Sequence, residues 1–466
     1  MKDMVYGSIG LEGFFRIEEN QLILGNFTAK DLACRFGTPL FVFSESRIRH
    51  NVEKLFRIRE AVDCEVKICY AAKANSNLGI LRAIKEAGCD VEVNSGGELW
   101  KVQKAGFTAE QIIFNGNSKE IWEIENAIEA GIYSIQVDSV YELSLIEQTA
   151  RRLNKPARVS LRIVPHIKSG TYSGLQTALL TSKFGMMPEE ALEAFCDYKN
   201  SPYLKLNGIH VHIGSQNPDK RVYSEALEFL VETLLKVKED VGVDLHHLNL
   251  GGGFPVNYLR YGFQEDGFAP SVKRVFASDF EPFDAMVDAW KNLADRAKLL
   301  ENITLIFEPG RSIIADAGIC LTTVRNIKHR SVSTSRPKDT WLLTDAGFNI
   351  LLSMETYKWY YHLIHAERAG EPHKVPYKLG GPLCDGGDVY FDIEGKERLP
   401  DYRFLPEGTR PGDVLALLNC GAYSISQMFQ YNGRFLPCVV LLTCNGEVVV
   451  IRKRDTFEDL LLNEIC

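Results

Sequence analysis

His247-Leu-Asn-Leu-Gly-Gly-Gly-Phe-Pro255 is a short apolar run that passes straight into three residues without side chains. Three consecutive glycines leave backbone N–H groups free to converge on an anion, and phosphate is the natural guest. The stretch lacks the G-x-G-x-x-G spacing of a dinucleotide site, and a glycine cluster alone is more often only a tight turn. Its neighbours decide what it is. From about Val66 to Pro309, short β-branched runs alternate with longer helix-like segments, the pattern of repeated βα units. Eight such runs are legible, at 66–70, 91–93, 112–114, 133–137, 159–163, 208–213, 247–250 and 305–308. They predict a closed (β/α)8 barrel of the TIM type, with its chemistry at the C-terminal ends of the strands.

After Ser312 the pattern changes to strand-like runs with turn signals, at 340–343, 413–417 and 438–442, with 447–450 following the turn Cys444-Asn-Gly446. This predicts a second, mainly β domain of barrel or sandwich type. The early strand-like run 38–43 precedes a helix at 45–60 and is expected to pair with the C-terminal sheet. The expected division is 48–315 for the barrel, with 1–47 and 316–466 forming the β domain. A chain of 466 residues accommodates both.

An apolar fraction of 45% and a charged fraction of 24% are those of an ordinary globular enzyme. A net charge of -8 without a basic block argues against nucleic acid or anionic membrane as partner. Residues 1–15 lack a basic start followed by an apolar run, and no 18 consecutive apolar residues occur, so an unprocessed soluble chain is expected. Eleven cysteines without a C-x-x-C pair fit neither a disulfide framework nor a zinc site, which points to a reducing cytoplasm.

The polar residues that close the runs carry the candidate chemistry. Lys73 sits in Tyr70-Ala-Ala-Lys-Ala-Asn75 after the first strand, among small residues that leave room for a bulky planar ligand. By itself a lysine there is an ordinary solvated charge. His210-Val-His-Ile-Gly-Ser215 ends the sixth strand and places His210 and His212 on one face. No third ligand of the usual kind accompanies them, so no metal is expected, and His212 reads as a flat surface for a ring with His210 as packing. Glu308-Pro-Gly-Arg-Ser312 sets a carboxylate and a guanidinium at the end of the eighth strand, where a plain salt bridge is the alternative. Downstream come Gly381-Pro-Leu-Cys-Asp-Gly-Gly-Asp388 and Gly421-Ala-Tyr423. A lysine, a histidine, a glycine nest and a Glu/Arg pair at four strand ends form a phosphate-and-ring site that two β-domain loops would close.

In this order, Tyr70-Ala-Ala-Lys73-Ala-Asn75, Ser95-Gly-Gly-Glu98, Lys183-Phe-Gly185, His210 to Gln216, Gly251-Gly-Gly253, Glu308-Pro-Gly-Arg311, Cys384-Asp385 and Gly421-Ala-Tyr423 resemble the fold-type III pyridoxal-phosphate enzymes. The likeness is to the diaminopimelate, ornithine and arginine decarboxylase group and runs from about Thr38 to Phe435. It implies that Lys73 carries pyridoxal 5'-phosphate and that His212 stacks on its ring. It assigns the phosphate to Ser215, Gly252, Gly253 and Tyr423, with Gly310 and Arg311 contributing from the loop that starts at Glu308. It places Arg311, Tyr357, Asp385 and Tyr423 at the amino-acid substrate. It further implies a homodimer with shared sites, to which the partner subunit's Cys384 and the partner subunit's Asp385 are contributed.

The resemblance implies a decarboxylase. A carboxylate at the ring nitrogen favours the protonated pyridinium, an effective electron sink, whereas racemases of this barrel type carry arginine there. Cys384 is suited to return a proton to Cα. Substrate identity departs from the diaminopimelate pattern. In those enzymes glutamate and serine follow the site cysteine, and an arginine holds the distal carboxylate; this chain has Asp385, Gly386 and Ser353. The expected substrate is therefore an amino acid with a distal amine, ornithine-like or lysine-like or a conjugated diamino acid, of either hand. Diaminopimelate, with lysine as product, is the alternative, and a racemase or an inactive regulatory homologue are further ones. Lys358, near the second aspartate of ornithine-type enzymes, has the opposite charge.

Overall fold

The structure is a computed structural model that describes residues 10–11, 13–171, 173–179, 181–261, 268–278, 282–293, 302–330, 339–395 and 398–465. The chain divides into two compact units, one of residues 51–255 with 278–313 and one of residues 1–50, 256–277 and 314–466.

The first unit is a closed barrel of eight strands: β1 (Glu65–Ala71), β2 (Asp90–Val93), β3 (Ile112–Phe114), β4 (Ser134–Val137), β5 (Ala157–Arg162), β6 (Leu204–His210), β7 (His247–Asn249) and β8 (Thr304–Phe307). All neighbours pair in parallel, and β8 closes on β1 with Thr304 opposite Glu65 and Phe307 opposite Ile68. Helices lie between strands because the sequence supplies caps at both ends. Ser95 accepts the Glu98 N–H at 3.2 Å at the start of Gly96–Ala105, and Ser139 accepts the Glu142 N–H at 3.1 Å at the start of Val140–Leu153. Gly106 ends the first of these in the left-handed region, where a Cβ is penalised.

Inside the barrel, Cys69, Ile113 and Ile306 form a buried cluster. Farther along, Gly208 of β6 faces His247 of β7 so closely that a Cβ on it would strike the imidazole. The sixth strand is the one whose bounds differ most from the sequence reading. It starts at Leu204 and ends at His210, so His212 lies in the loop beyond it and not on the strand.

The second unit is mainly β. Its long strand Gly318–Arg330 pairs antiparallel with Leu40–Ser44, which pairs in parallel with Cys438–Leu442. The early run thus joins the C-terminal sheet as its apolar, fully buried sequence demands. Val448–Arg452 extends the sheet at one end and Asp339–Thr344, Val375–Gly380 and Arg403–Leu405 at the other. Residues 256–277 belong to this unit through aromatic packing: Trp359 meets Tyr258 and Phe276 edge-on at 5.2 and 5.0 Å, and Tyr360 meets Phe268 at 4.8 Å. Among the described residues no helix is long and apolar enough to cross a membrane.

Candidate active site

Lys73 follows β1 in a single tight turn, Ala72–Ala74, whose alanines are buried. Its Nζ stands 3.3 and 3.4 Å from the two carboxylate oxygens of Glu92 and 3.5 Å from Asn94 Oδ1. Glu92 lies in the middle of β2 and is fully buried, because alternation turns it to the face opposite Val91 and Val93. Burial, reinforced by the charge of Glu308 and only partly offset by Lys73, pushes its carboxyl up to about 7.

Asn115, the residue after β3, donates from Nδ2 to Glu92 Oε1 at 2.8 Å and to Glu308 Oε2 at 2.9 Å. Asn249, ending β7, donates to the other oxygen of Glu308 at 2.7 Å, and His210 Nε2 stands 3.5 Å away. Burial pushes the Glu308 carboxyl up, but His210, Lys73 and the Asn249 amide outweigh it and hold the group well below its usual range. Burial also drives the imidazoles of His210 and His212 down, for His212 with the added charges of Lys73 and Arg162, so both rings are neutral near pH 7. The barrel mouth therefore presents the Lys73 side chain, an anionic Glu308 and two neutral rings.

Beside them lies a cradle of backbone. Gly251 N–H donates to Asn249 Oδ1 at 2.8 Å, and Gly252 N–H donates to His212 Nδ1 at 3.2 Å, which fixes the ring. A Cβ on Gly252 would strike the Glu308 carbonyl and one on Gly253 the Gly214 carbonyl, so only glycine fits at either position. Gly310 packs against Ala71 and Ala74, whose Cβ atoms leave 3.1 and 3.0 Å for a side chain that is not there. Arg311 donates from Nε to Ser215 Oγ at 3.2 Å. The segment after β5 covers this turn, with Thr177 donating to the His212 carbonyl at 2.9 Å and Thr171 to that of Ser215 at 2.6 Å.

Lys73, His212, Ser215, Gly252, Gly253, Glu308, Gly310 and Arg311 are thus carried by one barrel. The remaining candidates belong to the β unit. Cys384 is exposed, its N–H donating to Asn432 Oδ1 at 2.7 Å. Asp385 accepts the Gly387 N–H at 2.8 Å and the Tyr431 hydroxyl at 3.4 Å. Tyr423 adopts a positive φ of 57° in the turn after Gly421. Ser353 is buried in the helix Leu352–Thr356, and Tyr357 follows that helix directly. Lys358 is buried and holds Glu355 at 2.8 Å. Glu92, Asn94, Asn115 and Asn249 are site residues that the sequence reading passed over.

The sequence pattern of the family described as "Pyridoxal-dependent decarboxylase, pyridoxal binding domain" matches residues 48–315. The chain belongs to the pyridoxal-dependent decarboxylases. The diaminopimelate decarboxylase of Methanocaldococcus jannaschii is 34% identical over 471 residues, covering 100% of this chain and 99% of that one. The diaminopimelate decarboxylase of Aquifex aeolicus is 33% identical, with 96% of each chain covered. The crystal structure of the M. jannaschii enzyme in complex with L-lysine superposes with a TM-score of 0.83 at 32% identity, covering 97% of this chain and 98% of that one. Carboxy-lyase activity on an amino acid and the pyridoxal 5'-phosphate cofactor follow. These relatives favour diaminopimelate, the alternative of the sequence analysis, over an amino acid carrying only a distal amine.

The residues present fit the cofactor. A side-chain-free cradle in which only glycine fits suits its phosphate, and a neutral, half-buried imidazole suits its ring. An anionic carboxylate held by two amides suits its nitrogen.

Proposed function

We propose that this chain decarboxylates diaminopimelate, releasing carbon dioxide and lysine. Its similarity to diaminopimelate decarboxylases along the whole of both chains carries the reading. Pyridoxal phosphate, when bound, supplies the electron sink for the pair left behind as carbon dioxide departs. In this reading Lys73 holds the cofactor and His212 lies against the ring. Gly252, Gly253, Ser215, Gly310, Arg311 and Tyr423 bind the phosphate. Glu308 stays ionised at the ring nitrogen, supported by one amide hydrogen on each of its oxygens, which leaves acceptor capacity for the ring. Return of a proton to Cα is the role given to Cys384. Arg311, Tyr357, Asp385 and Tyr423 contact the substrate. The barrel is the cofactor-binding domain and loops of the β domain complete the site across a homodimer. There the partner subunit's Cys384 and the partner subunit's Asp385 face Lys73. The ten described cysteines are all unpaired, which supports a reducing, cytoplasmic setting.

Ser353 favours a second reading, in which the substrate is a basic amino acid without a second carboxylate. No arginine lies between Ala346 and Lys358, and the lysine there is already paired with Glu355. Serine in place of a guanidinium fork at this position gives up a bidentate contact to a distal carboxylate. Carbon dioxide release from meso-diaminopimelate and from L- and D-ornithine, lysine and arginine separates the two. Diaminopimelate as the best of the panel supports the first reading. A kcat/KM tenfold higher for a basic amino acid establishes the second, and Ser353→Arg is then expected to shift preference toward diaminopimelate.

A further inference from the structure

The carboxylates of Glu92 and Glu308 come from the two strands that flank β1, one on β2 beside Lys73 and one in the loop after β8, and one side chain touches both. Asn115 is buried, 4% exposed, and spends both hydrogens of its amide on them, at 2.8 and 2.9 Å. Its own Oδ1 is buried without a partner among the described residues, so the side chain is held by these two bonds alone. Two carboxylates that share one donor in a dry interior cannot both be anionic without strong repulsion; the stable arrangement is one charge and one proton.

We propose that Asn115 is a positioning residue that binds Glu92 and Glu308 into a single acid–base unit that holds one proton beside Lys73. Lys73 favours charge on Glu92, but full burial and the nearby carboxylates of Glu308 and Glu98 outweigh it, which puts the proton on Glu92 and the charge on Glu308. Lys73 stands beside Glu92, Asn94 Oδ1 accepts from Lys73, and Glu98 accepts the Asn94 N–H. His210 and Asn249 surround Glu308, Cys69 lies buried near it, and Arg162 from β5 acts on both carboxylates. The upward displacement of Glu92 and downward displacement of Glu308 follow the same order. The bridge stands on geometry alone. Its consequence for the cofactor rests on the reading that Glu308 meets the ring nitrogen.

Two measurements test it separately. In cofactor-free protein, a carboxyl that titrates near 7 when folded and near 4.5 when unfolded makes stability fall as pH rises between those values and level off above them. Thermal unfolding against pH reads this inflection. It is expected to disappear in Glu92→Gln and to move up by about one pH unit in Asn115→Ala, because the lost hydrogen bond favoured the anion. Asn115→Leu fills the same volume and serves if the alanine variant does not fold. An inflection that survives Glu92→Gln, or one that Asn115 variants leave in place, overturns the proposal. In loaded enzyme, the pH titration of the visible absorbance is expected to shift with Asn115→Ala and with Glu308→Gln. If both leave it unmoved while the first measurement succeeds, the bridge stands and the ring-nitrogen reading of Glu308 fails.

Discussion

Replacing Glu308 by glutamine is the sharpest probe of the barrel mouth, because the side chain keeps its shape and loses only charge and one acceptor. Glu308 is buried and receives an amide hydrogen on each oxygen, from Asn249 at 2.7 Å and from Asn115 at 2.9 Å. Glutamine accepts one of these and turns its own NH2 toward the other, so one buried donor goes unmet at about 1–3 kcal/mol of stability. The larger effect is electrostatic. A neutral amide no longer favours a protonated ring, and removal of a preorganised charge costs about 3 kcal/mol at the transition state, roughly 10²-fold in rate. The assay is carbon dioxide release at saturating substrate, with cofactor content read by absorbance and folding by thermal unfolding. The expected variant is folded, loaded and about 10²-fold slower. Turnover within about threefold of the parent, at full cofactor content, would refute the argument and put the partner of the ring nitrogen elsewhere.

Three further outcomes are expected. Lys73→Ala loses both turnover and the borohydride-reducible cofactor signal, since no other amine stands in the turn 72–74; reducible cofactor at parental stoichiometry refutes the assignment. Gly252→Ala forces a Cβ into the Glu308 carbonyl and is expected to weaken cofactor retention at least tenfold, measured by equilibrium dialysis, and parental retention would show that the cradle is not the phosphate site. Mixing inactive Lys73→Ala with Cys384→Ala under subunit exchange is expected to restore roughly a quarter of parental activity, because half the dimers are mixed and each has one intact site. No recovery despite exchange confirmed by mass would place both groups of a site in one chain.

The barrel was legible because a parallel strand covered on both faces must be apolar throughout, and β3 was read to the residue, Ile112 to Phe114. Bounds slipped where polar residues interrupt the run. Lys205 and Asn207 hid the start of β6, and the alternating His-Val-His beyond it imitated a strand that ends at His210. Lys73, the glycine nest and Glu308 were visible since each closes a run. Glu92 was not, because it lies within a run and closes none. A carboxylate between two valines in a barrel strand points inward, and that alternation was the available signal. Asn115 does close a run, but an asparagine after a strand reads as a turn residue until the two carboxylates it joins are located. Substrate identity stayed open because it turns on what Ser353, Lys358 and Asp385 do together, which spacing does not determine.

The segment 256–277, spliced between two barrel strands but packed by Tyr258, Phe268 and Phe276 into the β unit, makes the chain change units after residues 50, 255, 277 and 313. Neither half is a contiguous stretch that a single protease cut releases or a gene fragment encodes. A fragment ending near 315 would carry three large aromatic residues stripped of Trp359 and Tyr360, an invitation to aggregate. The cofactor-binding half is therefore bound to be made, folded and degraded together with the half that carries Cys384.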